Sequence, residues 1–343
     1  MKWGRLRMTS LQFIWFLLIG VLFSGFFFLE GFDFGVGMLI RSFAKNEAER
    51  NTIIQTIGPH WDGNEVWLIT AGGAMFASFP MWYASLFSGY YIVLFLILVA
   101  LIFRGVAFEF RANMQTETWK KFWEWAATIG SFCAAFLFGM MFVSMIQGVP
   151  LDKQGNIYGT FTTYVNWFSI VGGVAVSILC LLHGLNFIRL KVSGDLRARA
   201  QQWTKVLYPV LVAGEVVFAI LLYFTTDFFK YHFATTLSIL AVLVVLTLLA
   251  WYLAFKESDW GSFICSGLSL ISVVVLIFNG LFPRVMIGKG NVNSILIQNA
   301  SNSPYTLHLM TILTFCILPI VLIYFIWSYW VFYKRLSSPK QEA

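Results

Sequence analysis

The run LQFIWFLLIGVLFSGFFFLEGF at residues 11–32 is apolar almost without interruption until Glu30. About 20 such residues in a helix cross a hydrocarbon core roughly 30 Å thick. Further runs of the same kind follow at about 64–79, 84–110, 122–147, 164–190, 204–226, 232–256, 260–283 and 306–333. They predict an all-α integral membrane protein with nine transmembrane helices. No connecting stretch is long enough for a separate soluble domain, so residues 1–343 read as a single polytopic membrane domain. The second run is short and ends at Pro80; it either spans with help from the polar Gly63–Asn64 start or begins below the membrane surface. Four and four helices with a ninth left over would permit a duplicated bundle, although no repeat is visible in the sequence.

Composition agrees with that class. Of the 343 residues 59% are hydrophobic and 11% charged, against roughly a quarter charged in a soluble domain. The mean hydropathy of +0.77 excludes a soluble globular enzyme, a disordered chain and a nucleic-acid module. The net charge of +7 does not point to nucleic acid, because the 23 Lys and Arg sit in short clusters between apolar runs. The 36 Phe and 14 Trp suit a lipid-facing surface with interfacial belts. Cys133, Cys180, Cys265 and Cys316 each lie in an apolar run and are expected to be buried small hydrophobes.

Lys and Arg are retained on the cytoplasmic face of a membrane. Most of the basic residues fall on one side of the predicted spans, among them Arg41, Lys45, Arg50, Arg111, Arg189, Lys191, Arg197, Lys334, Arg335 and Lys340. The other side has Lys2, Arg5, Arg7, Lys153, Lys230, Arg284 and Lys289. This bias places the N-terminus outside and the C-terminus in the cytoplasm. Met1–Gly31 also has the basic start of a signal peptide, but its apolar stretch is long and has no clear cleavage site. It is read as a retained first helix. On the exposed side Gly288–Ser303 is the most loop-like segment.

Polar groups inside or at the edge of a span cost a few kcal/mol unless paired or hydrated, so they locate function. Three clusters stand out. The first is LEGFDFGVG at 29–37, at the predicted cytoplasmic end of the first helix. Glu30 and Asp33 share a face at i, i+3, and two carboxylates this close suit a site that takes up and releases protons. Simple termination of a helix in water would use the same residues. The second is GPHWDGNEVW at 58–67. Asp62 and Glu65 have capping-box spacing, so a structural cap competes with a proton-carrying role. His60 could shuttle protons near neutral pH, or simply pack beside Trp61; Trp67 reads as an interfacial or packing aromatic. The third is RGVAFEFR at 104–111. Arg104 lies well inside its run and must snorkel or find a carboxylate; Glu109 is near in sequence, and Glu30, Asp33, Asp62 and Glu65 fall on the same membrane side. His183, Glu215 and His308 occur singly, without the spacing of a haem or metal site, and read as hydrogen-bonded interhelical groups.

These clusters carry a resemblance. EGFDFGVGM at 30–38, GPHWDGNEVWLITAGGAMFASFP at 58–80, FSGYY at 87–91, FRGVAFEFR at 103–111 and GSFCAAFLFGMMFVSMIQGVP at 130–150 are similar to the signature of subunit II of the cytochrome bd quinol oxidases. The second stretch is the most specific, and roughly the first half of the chain carries the likeness. The resemblance implies two four-helix bundles, here about 11–147 and 164–283, plus a peripheral helix at about 306–333. It implies a partner, subunit I, that holds two b-type haems, one d-type haem and the quinol site, with no haem or metal on this chain. The complex would sit in the plasma membrane of a prokaryote among its lipids, with small accessory subunits as further partners. It would oxidise quinol and reduce dioxygen to water with protons from the cytoplasm. By position, Glu30, Asp33, His60, Asp62, Glu65, Arg104 and Glu109 would line the proton route, and Trp67 would mark an apolar route for oxygen. The competing reading is a proton-coupled secondary transporter using Glu30, Asp33, Asp62 and Arg104. A pure scaffold for subunit I is a third.

Overall fold

A computed structural model describes residues 8–336. Lys2, Arg5, Arg7 and Lys340, used above for orientation, lie outside the described residues. The first helix, α1 (Ser10–Ser42), opens with a capping box in which Thr9 and Gln12 satisfy each other's backbone amides. It continues ten residues past the predicted end at Phe32, so Glu30 and Asp33 lie inside a helix and not at its tip. Helices α2 (Glu47–Ile57), α3 (Trp61–Ser78), α4 (Pro80–Gly89), α5 (Tyr91–Asn113) and α6 (Glu117–Gln147) follow. The predicted third span is interrupted at Tyr90, and Pro80 takes the first position of α4, where its missing N–H costs nothing. After the short turn α7 (Phe161–Tyr164) come α8 (Trp167–Lys191), α9 (Asp195–Thr225), the turn α10 (Phe228–Tyr231), α11 (Phe233–Phe255) and α12 (Asp259–Leu281). The segment expected to be mostly loop holds more order. Strands β1 (Arg284–Met286) and β2 (Ile295–Leu296) pair antiparallel, with Arg284 opposite Leu296, and the turn α13 (Ile297–Ala300) leads to α14 (Pro304–Val331).

Among the described residues eight helices are long and apolar enough to cross a membrane: α1, α5, α6, α8, α9, α11, α12 and α14. The other expected span, α3, is 18 residues long and is not one of these eight; its first turns carry Asp62, Asn64 and Glu65. Helix α1 is the centre, packing on α3, α6, α8 and α12. Helix α5 lies on α6, while α9 and α11 lie outside α8 and α12. Helix α14 stands apart, with Leu307 as its one buried residue. Lipid chains are as apolar as side chains, so these helices associate through close packing and interhelical polar contacts. Phenylalanines fill the centre, for example Phe26 edge-on to Phe138 with ring centroids 5.3 Å apart. Where α1 crosses α8, Gly35 and Gly184 bring the two backbones into contact. A Cβ on Gly35 would lie 2.0 Å from the Cys180 carbonyl oxygen, and one on Gly184 would lie 2.5 Å from Gly35. The cysteines are free; Cys180 and Cys265 are buried as expected, Cys133 is half-buried, and Cys316 is exposed on the outer face of α14.

Outside the spans one polar latch closes the fold. Arg284, at the start of β1, donates to both carboxylate oxygens of Asp227, at 2.6 and 3.1 Å. The Asn291 amide donates to Asp227 at 2.9 Å. Burial raises the Asp227 carboxyl, but the bonds from Arg284 and Asn291 outweigh it and hold the group below its ordinary value.

Two outcomes follow from this packing. Gly35→Ala and Gly184→Ala force backbone apart and each cost about 1–3 kcal/mol, read as a lower Tm of the detergent-purified protein, while Gly72→Ala, with nothing within 4 Å of its would-be Cβ, leaves Tm unchanged. Because the Asp227 carboxyl is depressed in the folded protein, its contribution is complete above the unfolded value of about 3.9 and disappears as pH falls through the lower folded value. Asp227→Asn therefore lowers Tm at pH 7 and removes part of the loss of Tm that the unaltered protein shows on acidification below about pH 4.

Candidate functional site

The site forms where α1, α3 and α5 meet. Helix α1 supplies Glu30 and Asp33, one turn apart and both fully buried. Helix α5 supplies Arg104, also fully buried, because its Cα faces α6 at Gly130, where a Cβ would lie 2.7 Å from the Ala100 carbonyl oxygen and 3.2 Å from Arg104 Cβ. The guanidinium cannot snorkel from there, and it pairs with two carboxylates. Arg104 Nη1 lies 2.5 Å from Glu30 Oε1, a close ion pair without hydrogen-bond alignment, and donates to Glu65 Oε1 at 2.7 Å. The ring of Phe34 lies 5.1 Å and that of Phe108 5.5 Å from its central carbon, within cation–π range. Asp33 accepts from the Asn64 amide at 2.6 Å, and Asn64 in turn accepts from the Tyr329 hydroxyl of α14 at 2.7 Å. Glu30 Oε2 and Asp33 Oδ1 are buried without a hydrogen-bond partner among the described residues.

Of the residues singled out in the sequence, Glu30, Asp33, Glu65 and Arg104 converge. His60 is close by: its ring stacks on Tyr329 at 4.2 Å, the residue that bonds Asn64. Burial, with Lys191 adding repulsion, pushes the His60 pKa down to about 4, so it is neutral at pH 7. Trp67 packs against α1 at Gly25, where a Cβ would meet its ring at 2.3 Å. Two expectations fail. The capping box between Asp62 and Glu65 does not form, because the helix begins at Trp61 with His60 as its cap residue. Asp62 is exposed and accepts from the Gly63 amide instead, and Glu65 is spent on Arg104. Glu109 is likewise exposed and does not pair with Arg104, since it points from α5 in a different direction.

Asn64 and Tyr329 were not among the sequence candidates. Asn64 stands in the second motif between two acids, and Tyr329 comes from the far end of the chain, where no motif announces it. Two further charge centres also went unread. Glu124 of α6 receives Arg41 at 2.9 Å, Arg50 at 3.5 Å and Arg111 at 3.0 Å. Asp259 of α12 receives Arg189, Arg197 and Arg335, each at 2.9 Å. The basic residues read only as orientation markers thus converge on two buried carboxylates.

The isolated groups are held within the fold. His183 uses both ring nitrogens, on Ser266 Oγ at 2.8 Å and the Phe28 carbonyl at 2.9 Å. Thr247 donates to Glu215 at 2.7 Å, and His308 is exposed. Among the described residues no three His, Cys, Asp or Glu side chains gather in a way that could hold a metal ion.

The chain is similar to known proteins over almost all of its length. Residues 11–332 match the family model for cytochrome bd terminal oxidase subunit II. The chain is 44% identical to cytochrome bd ubiquinol oxidase subunit 2 of Bacillus subtilis strain 168, over 96% of this chain and 98% of the relative. It is 33% identical to cytochrome bd-I ubiquinol oxidase subunit 2 of Escherichia coli K12, over 97% of each. A chain of the bd oxidase structure from Geobacillus thermodenitrificans superposes with a TM-score of 0.73 over 94% of this chain and 99% of that one, at 14% identity, a likeness of fold. With its polar motifs inside the matched region and the match running almost end to end, the chain belongs to the cytochrome bd terminal oxidase subunit II family.

Proposed function

We propose that this chain is the subunit II of a bd-type quinol:oxygen oxidoreductase and that its buried polar site carries protons. The observation that carries the proton role is the arrangement of three carboxylates around one guanidinium. Arg104 balances one negative charge, while Glu30, Asp33 and Glu65 offer three. The site therefore has room for protons, and the unpartnered oxygens of Glu30 and Asp33 are where they would be held. The acids also grade inward, from exposed Asp62 through Glu65, whose side chain is 25% exposed, to fully buried Glu30 and Asp33.

In this reading the chain pairs with a haem-bearing subunit I in a prokaryotic plasma membrane. Quinol oxidation, the b- and d-type haems and the reduction of dioxygen to water belong to that partner; small accessory subunits and lipids complete the assembly. The charge bias supports an N-terminus outside and a C-terminus in the cytoplasm, which makes Asp62 and Glu65 the cytoplasmic entrance. Helix α3 then counts as the ninth span. The two bundles are α1 with α3 to α6 and α8 with α9, α11 and α12, and α14 is the peripheral helix. His60, neutral at pH 7, positions Tyr329 by stacking; Glu109 lies off the route; Trp67, packed on Gly25, borders the apolar interior through which oxygen would move.

The assembly is tested by isolating the complex through this chain. A reduced-minus-oxidised visible spectrum shows both b- and d-type haem bands and the preparation consumes oxygen with quinol, whereas a chain that purifies alone and never binds a haem-bearing partner overturns the assignment. The proton role is tested separately in the assembled complex. Asp33→Asn and Glu30→Gln each lower quinol-driven oxygen consumption about tenfold or more and change its pH dependence, with Asp33→Glu recovering part of the rate and Glu109→Gln without effect. Unchanged rates and pH profiles with intact haem spectra would leave the chain as a scaffold only.

A further inference from the structure

A cleft of about 650 Å³ opens between α14 and the face made by α1, α8 and α12. Its walls are apolar, with Phe32, Phe187 and Phe263 on the bundle side and Leu322, Phe325 and Ile326 on α14. One end is basic: Lys191, Lys334 and Arg335 line the same cleft. Lys191 is only 9% exposed, and among the described residues its ammonium donates to the Phe332 carbonyl. No carboxylate among the described residues lies within ion-pair distance of it or of exposed Lys334. The nearest acid centre, Asp259, is already shared by Arg189, Arg197 and Arg335. Among the described residues the mouth of the cleft therefore carries a positive charge that no carboxylate compensates, part of it buried, beside an apolar chamber at one membrane face.

A buried cation without a counter-ion is costly, and a basic pocket between membrane helices is the setting in which anionic headgroups bind. An uncharged isoprenoid or quinone would fill the walls and leave Lys191 unanswered. Free phosphate would answer the lysines and leave the aromatic walls uncovered. A zwitterionic lipid would bring its own ammonium among Lys334 and Arg335. We propose that the cleft holds one anionic glycerophospholipid, with its phosphate on Lys191 and Lys334 and an acyl chain between α14 and the phenylalanines of α1, α8 and α12. The lipid then fills the gap that the protein leaves beneath α14, next to the stacked His60 and Tyr329. This inference rests on the cleft alone and holds whether or not the neighbouring carboxylates carry protons.

The test uses the complex isolated through this chain, delipidated in detergent and titrated with phosphatidylglycerol while bound lipid is counted by native mass spectrometry. One tightly held phosphatidylglycerol per complex is expected. Lys334→Ala, an exposed position that does not threaten folding, weakens it about fivefold, and Lys191→Met combined with it weakens it by about the square of that factor. Lys256→Ala, an exposed cation at the end of α11 outside the cleft, leaves binding unchanged. Phosphatidylcholine binds at least tenfold more weakly, and millimolar inorganic phosphate does not displace the lipid. Equal binding of phosphatidylcholine, full displacement by inorganic phosphate, or unaltered phosphatidylglycerol affinity in Lys334→Ala would each overturn the proposal.

Discussion

A fully buried arginine, 2.5 Å from one carboxylate and 2.7 Å from another, fixes how the first half of this protein is put together. The effective cost of taking each ion out of water is several kcal/mol, and removing one partner of such a pair costs about 3–5 kcal/mol more than the pair itself. Arg104 must therefore be met from both α1 and α3 at once, and neither helix can slide without stranding a charge. The glycines follow from this demand. Gly130 lets α6 close over the backbone of α5 at Arg104, and Gly25 lets Trp67 lie on α1, so that α3 approaches closely enough for Glu65 to arrive. An apolar trio of equal volume would hold three helices together at lower cost.

The other charge centres have the opposite composition. At Arg104 one cation faces several acids; at Glu124 and Asp259 one acid faces three arginines. Each acid-centred cluster joins helix ends that a sequence reader assigns to the same membrane face: α1, α2, α5 and α6 at Glu124, and α8, α9, α12 and the segment after α14 at Asp259. They act as electrostatic ties between neighbouring helix termini. Their excess of guanidinium leaves the ends of these helices positive, while the acids outnumber the cation around Arg104.

How far the sequence could be read depended on the range of the signal. Hydropathy located the long helices because crossing a membrane requires about 20 apolar residues in succession, a local property. It misplaced the end of α1 because Glu30 and Asp33 look like a terminus until a cation from α5 is known to meet them. The convergence of Glu30, Asp33, Glu65 and Arg104 was legible from shared sidedness and the cost of an unpaired arginine. Asp62 was misread because capping depends on which residue starts the helix, and a shift of one or two positions turned the expected cap into an exposed first-turn acid. Glu109 was misread because adjacency in sequence on a helix is not adjacency on a face. Tyr329 lies 265 residues from Asn64 in sequence, and no local pattern encodes a contact of that kind.

That distant contact orders the site more tightly than its distance in sequence suggests. Asn64 can present its amide to Asp33 in only one orientation, with the nitrogen toward the carboxylate and the oxygen toward a donor. The Tyr329 hydroxyl is the donor that selects this orientation. Tyr329 is held in turn by stacking on His60, a ring whose neutral state at pH 7 suits a dry, face-to-face contact. Helix α14 is also anchored at its opposite end, where Trp15 donates to Leu307 and Thr311, and just past Tyr329, where Lys191 bonds the Phe332 carbonyl and Arg335 pairs with Asp259 at 2.9 Å. Near Tyr329 these ties are joined by a stacked ring and two hydrogen bonds in series that end on Asp33. Any change in the charge of Asp33 alters what Asn64 must donate to, and any displacement of α14 removes the group that orients Asn64, so the outermost helix and the innermost carboxylate form one mechanical unit.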